Sequence, residues 1–185
     1  ALRSAFDETG NLISALHTIK SLENKIFSTL LPPQVLLSDD KKEKLIKKVY
    51  LITPNIPEAE VLTKTKIKNL EDMISAANIL LNSGVKNVLV KGGHRNCRVM
   101  KDVFLNKKEI KIFRNKKIKT KKTHGTGCTL SSAIATFFAC GKSINKSCEL
   151  GIKYVNQTIR SILNYGKGHG PINHLSSIYI DRKFK

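Results

Sequence analysis

The chain has 185 residues, 41% of them hydrophobic, which is enough to enclose one core without requiring a second domain. Its formal charge of +19 invites a nucleic-acid reading, yet the lysines are spread from Lys20 to Lys185 among Asn and Ile and form no arginine-aromatic patch, so no specific nucleic-acid partner is expected. No apolar run approaches the roughly 18 residues of a membrane span, no basic-then-apolar leader opens the chain, and the four cysteines form no CxxC pair; the expectation is a cytoplasmic protein with reduced thiols and neither a zinc site nor disulfides.

In chain order, Leu12, Ile13, Leu16 and Ile19 have helical spacing and predict a surface helix over Leu12 to Leu22. Pro32-Pro33 removes two ladder donors and argues against a central strand between Phe27 and Asp40. Lys41 to Lys48 reads as a short solvated helix, and Val49 to Thr53 as an apolar strand that stops at Pro54. Leu70, Met73, Ile74, Ala77, Leu80 and Leu81 make one helical stripe, opened by Asn69 and closed near Gly84. A buried strand follows at Asn87 to Val90. Strand, helix, strand is the crossover unit of a parallel sheet, whose ligands gather at the carboxyl ends of the strands. Cys97 to Leu105 and Glu109 to Phe113, joined by Asn106-Lys107-Lys108, predict a hairpin at a sheet edge. After Thr123-His124-Gly125-Thr126-Gly127-Cys128 comes a helix with the apolar face Leu130, Ala133, Ile134, Phe137 and Phe138, ended by Gly141. Ile144 to Leu163 supplies another helix, before a Gly-rich tail from Gly166 to His174 and a last apolar run at Ile178 to Ile180.

Three short constellations have chemical potential. At Gly125-Thr126-Gly127, small residues open a long helix, where main-chain N–H groups and the helix dipole can hold a phosphate; the same pattern also serves as a plain tight turn. Neither a Walker A loop nor a Gly-x-Gly-x-x-Gly fingerprint is present. Cys128 falls in the first turn of that helix, where partial positive charge favours a thiolate able to accept a proton, although cysteines commonly serve as small apolar residues. Asn55 and Glu58 flank Pro57 at the exit of the first strand, positions suited to Mg²⁺ ligation directly or through water, or to simple helix capping. Lys91 leaves the second strand toward Gly92-Gly93 and can reach a nucleotide phosphate as a mobile charge, or be merely solvated.

Taken in order, Leu51-Ile52-Thr53-Pro54-Asn55-Ile56-Pro57-Glu58, Val90-Lys91-Gly92-Gly93-His94, His124-Gly125-Thr126-Gly127-Cys128-Thr129-Leu130-Ser131 and the tail Gly166 to His174 closely resemble the bacterial hydroxymethylpyrimidine/phosphomethylpyrimidine kinases, from about residue 36 to 175. The resemblance implies a ribokinase-like three-layer α/β/α fold with a mainly parallel sheet, ATP and Mg²⁺ as cofactors, and phosphorylation of hydroxymethylpyrimidine and its monophosphate in thiamine synthesis. It implies that Cys128 is the catalytic base and that Gly125, Thr126 and Gly127 form an anion hole. Lys91, Asn55 and Thr123 would bind the cofactor, and Glu58 with Asn55 would serve Mg²⁺. It further implies a homodimer for a full-length protein. Cysteine at 128, where the wider class commonly has Asp, points to the pyrimidine kinases and their pyridoxal-kinase relatives, the latter being the alternative. The family's opening strand and Gly-rich substrate loop have no counterpart in residues 1–35. The expectation is therefore a single domain over 1–185 that represents the C-terminal, nucleotide-binding portion of the family, with residues 1–40 poorly matched. Such a chain is either a fragment or an impaired gene product, weakly active by itself. A basic binding protein on the same fold is the different-class rival.

Overall fold

The computed structural model describes residues 49–93, 99–118, 120, 125–161, 172–174 and 176. The predicted helices over 12–22 and 41–48, the Pro32-Pro33 stretch and the apolar run at 178–180 lie outside the described residues. The described residues fall into two compact units, one reaching to 117 and the other starting at 118.

The first unit is α/β. Its elements are β1 (Leu51–Ile52), α1 (Ile56–Thr63), α2 (Leu70–Asn82), β2 (Asn87–Val90), β3 (Val99–Asn106) and β4 (Ile110–Lys116). One sheet carries the order β1-β2-β3-β4. β1 and β2 run parallel, with Leu51 opposite Asn87 and Ile52 opposite Val88, as the crossover reading predicts. β3 and β4 add an antiparallel hairpin beside β2, so the described sheet is mixed and β4 is its last strand. The hairpin turn is set by Asn106, whose Oδ1 accepts the N–H groups of Lys108 (2.8 Å) and Glu109 (2.9 Å), a local use of Asn that closes a short loop.

The helices cover one sheet face because their apolar stripes demand it. Met73, Ala76, Ala77 and Leu80 of α2 form a buried cluster with Ile56 and Ala59 of α1 and with Ile52, Val88, Val90, Val103 and Leu105 of the sheet. The alternate residues Leu89 and Phe104 are also fully buried, so β2 and the Asp102 to Leu105 part of β3 are buried on both faces, as strands of a covered sheet require, while Val99 to Lys101 are at least partly exposed. At the start of α2, Asn69 Oδ1 accepts the Asp72 N–H (2.8 Å) and Asp72 Oδ2 accepts the Asn69 N–H (3.2 Å), a reciprocal capping box.

The second unit contains α3 (Thr126–Ala139) and α4 (Ile144–Arg160). They pack through Leu130, Ala133 and Ile134 on one side and Cys148, Gly151, Ile152 and Val155 on the other. A Cβ at Gly151 would stand 2.7 Å from Ile134 Cγ1, so glycine permits this approach. The Gly141 and Lys142 N–H groups donate to the Phe138 and Phe137 carbonyls and close α3 as a Schellman motif around the left-handed Gly141. Near the end of α4, Asn173 N–H donates to the Thr158 carbonyl (3.3 Å) and Asn173 Nδ2 to Ser161 Oγ (2.9 Å).

Candidate functional site

In the first unit the parallel pairing of β1 and β2 continues past the strands themselves. The Lys91 N–H donates to the Pro54 carbonyl (2.8 Å), and Asn55 and Lys91 form a parallel bridge. Two of the predicted motifs are thereby brought side by side at the carboxyl ends of adjacent parallel strands, where α/β folds gather ligands. Asn55 is the N-cap of α1: its Oδ1 accepts the Glu58 N–H (2.9 Å) while Glu58 Oε2 accepts the Asn55 N–H (2.8 Å). Pro57 occupies the second helical position, after Ile56, which already has helical geometry. Both side chains therefore act as caps. A carboxylate keeps further lone pairs after one such bond, so Glu58 can still meet a hydrated cation. Among the described residues, no group of three His, Cys, Asp or Glu side chains could hold a metal directly.

Lys91 is half-buried, and the chain turns at once after it. Gly92 is buried, and a Cβ there would overlap the main-chain carbonyl oxygen of Lys101 on β3, so no larger residue fits. Its N–H donates to Asp102 Oδ1 (2.9 Å). Asp102 was not singled out in the sequence. Burial pushes its carboxyl up to about 6, against the opposing pulls of the Gly92 N–H and the Lys91 charge. An acid directly before the apolar Val103 to Leu105 run was the available signal, but its partner becomes evident only once β3 is in register beside β2.

In the second unit, Gly125 is the N-cap of α3 with φ 83°, a left-handed conformation suited to glycine, and it offers no side chain as a cap. The helical ladder begins with the Thr129 N–H donating to the Gly125 carbonyl (3.0 Å), so the N–H groups of Thr126, Gly127 and Cys128 precede it. Cys128 is exposed in this first turn. Cys148, by contrast, is buried on α4 and its thiol is pushed up to about 12, which makes it a packing residue. Thr123 and His124 lie outside the described residues.

The phosphomethylpyrimidine kinase family model matches residues 33–173. The thiamine biosynthesis bifunctional protein of Geobacter sulfurreducens is 42% identical over 134 residues, 72% of this chain and 27% of that protein. The hydroxymethylpyrimidine/phosphomethylpyrimidine kinase of Bacillus subtilis is 39% identical over 136 residues, 73% of this chain and 50% of that protein. Among solved structures, the pyridoxal kinase of Staphylococcus aureus in complex with AMP-PCP superposes with a TM-score of 0.71 at 26% identity, over 75% of this chain and 52% of that one. The chain thus spans half or less of the length of these curated relatives. Its described elements have the ribokinase-like α/β fold of such kinases.

Proposed function

The chain belongs to the phosphomethylpyrimidine kinase family, and on that premise we propose that it is the nucleotide-handling part of a kinase that transfers the γ-phosphoryl group of ATP to 4-amino-5-hydroxymethyl-2-methylpyrimidine and to its monophosphate in thiamine diphosphate biosynthesis. The observation that carries the reading is the bridge between Asn55 and Lys91 at the carboxyl ends of two parallel strands. The bridge sets Lys91 beside the helix entrance at Asn55, which supports the inference that a polyphosphate lies at these strand ends. Lys91 contacts the nucleotide phosphates, Asn55 supports them, and Thr123 adds a contact to the nucleotide. Glu58 and Asn55 hold Mg²⁺ through water, and the ion neutralises charge on the phosphates.

The first turn of α3, in the other unit, is assigned a role of its own. The N–H groups of Gly125, Thr126 and Gly127 receive the negative charge on the transferring phosphoryl oxygens. The Cys128 thiolate takes the proton of the substrate hydroxymethyl group, or assists the terminal phosphate when the monophosphate is the acceptor, as the accepting oxygen bonds to the γ-phosphorus and the bond to the ADP leaving oxygen breaks. The reading treats 1–185 as part of one kinase domain, located in the cytoplasm and working in a homodimer, which sedimentation of the protein that carries this chain would test.

Substitution separates the roles. Cys128→Ala is expected to lower turnover by about 10²–10⁴-fold while leaving ATP affinity within about twofold. Lys91→Ala is expected to weaken ATP binding about tenfold or more, because a phosphate contact is lost. Unchanged ATP affinity in Lys91→Ala, or full turnover in Cys128→Ala, contradicts the assignment. The superposition on a pyridoxal kinase supports a second reading in which pyridoxal is the preferred acceptor.

A further inference from the structure

The ladder between β2 and β3 ends at the pair Val90 and Val103. One step further, Lys91 and Asp102 would come into register, but there the ladder with β3 ends while Lys91 still bridges Asn55 on the other side. The next main-chain donor, the Gly92 N–H, is taken by the Asp102 carboxylate at 2.9 Å. The Lys91-Gly92 segment is held from three directions: the Lys91 N–H binds the Pro54 carbonyl of the neighbouring parallel strand, the Gly92 N–H binds Asp102, and the Cα of Gly92 lies against the Lys101 carbonyl with no room for a Cβ. Asp102 is itself buried, at 9% exposure. An acid placed in a strand interior carries a desolvation cost, offset in part by the Gly92 N–H and the Lys91 charge.

We propose that Asp102 is a positioning residue for Lys91, fixing the turn from which the lysine reaches the nucleotide phosphates. The inference rests on the reading of Lys91 as a phosphate contact. Asp102 does not touch the nucleotide. It holds the Gly92 N–H so that the Lys91 Cα and the first bonds of its side chain keep one direction, and the ammonium group is delivered to the site without an ordering cost at binding. The carboxylate also provides negative charge near the lysine, and the Lys91 charge in turn favours the ionised form of Asp102.

The test is a double-mutant cycle in the protein that carries this chain, reading the Kd of Mg·ATP and the separate KM values for ATP and for the acceptor. Asp102→Ala is expected to weaken ATP binding about tenfold and to leave the acceptor KM unchanged, because a misdirected Lys91 affects only the nucleotide. Asp102→Asn retains an oxygen that can accept the Gly92 N–H and is expected to recover ATP binding to within about threefold of the wild type. On a Lys91→Ala background, Asp102→Ala is expected to add no further loss. Asp102→Ser, with its oxygen about one bond short of the Gly92 N–H, replaces the alanine variant if that fails to fold. Wild-type ATP binding by folded Asp102→Ala or Asp102→Ser, when Lys91→Ala is weakened, overturns the positioning role. So does an equal loss with and without Lys91. Unchanged ATP binding in Lys91→Ala instead overturns the phosphate-contact reading, and the inference falls with it.

Discussion

Asp102 sets burial against hydrogen bonding within one carboxyl group, and burial prevails: the group titrates near pH 6 in the folded chain against 3.8 ordinarily. Because the folded value is the higher one, the native state binds the extra proton between these two values. The stability linked to that proton is fully present below about pH 4 and is lost as pH rises through about 6. A shift of this size corresponds to about 3 kcal/mol. Urea unfolding of the wild type and of Asp102→Asn across pH 4–7 is expected to show the wild type losing stability relative to the variant by about that amount, and parallel pH profiles would contradict it. Legibility at this scale followed residue chemistry. The positions of Asn55, Glu58, Lys91 and Cys128 at element ends were readable because Pro or Gly marks each boundary. Asp102 and the close packing at Gly92 were not, since both depend on which β3 residue falls beside the end of β2, and that register is set by the sheet rather than by either segment.

Helices with strong stripes and clear ends could be read almost to the residue. α2 starts at the Asn69 capping box and stops before Gly84, and α3 ends at its Schellman glycine, because these signals act within a few residues of chain. The strands were less legible. β4 runs on to Lys116, past the expected end at Phe113, since Arg114, Asn115 and Lys116 pair with Lys101, Met100 and Val99; their polar side chains gave no strand pattern, and the partner strand decides. β1 is limited to Leu51–Ile52, although its pairing goes on through Pro54 and Asn55. Two substitutions test the packing of these elements. Asn69→Ala is expected to lower stability by about 1 kcal/mol through loss of the α2 cap. At Gly151, alanine gains about 1 kcal/mol of helix propensity but places a Cβ 2.7 Å from Ile134 Cγ1 and 3.4 Å from the Ile134 nitrogen. Overpacking of this kind costs about 1–3 kcal/mol. The 2.7 Å approach is to a γ carbon of a stiff, fully buried β-branched side chain rather than to the far end of a flexible one, so Gly151→Ala is expected to unfold at lower urea concentration than the wild type, and a higher midpoint would contradict the tight helix crossing.

At the scale of the whole molecule, a charge of +19 leaves a basic binding protein as the rival to a kinase. The two differ in their response to salt. Affinity for nucleic acid that comes from counterion release falls steeply as salt is added, whereas a built phosphate site retains nucleotide at physiological salt. Membership of a kinase family and the juxtaposed strand-end motifs favour the second outcome. The likeness to both pyrimidine and pyridoxal kinases makes acceptor choice the decisive property. The most direct measurement is therefore an acceptor panel with Mg·ATP and the protein that carries this chain, comparing kcat/KM for hydroxymethylpyrimidine, its monophosphate and pyridoxal, with Cys128→Ala beside the wild type. The account predicts that both pyrimidines are phosphorylated faster than pyridoxal and that turnover collapses in Cys128→Ala. Faster transfer to pyridoxal, or turnover that survives loss of the thiol, would contradict it.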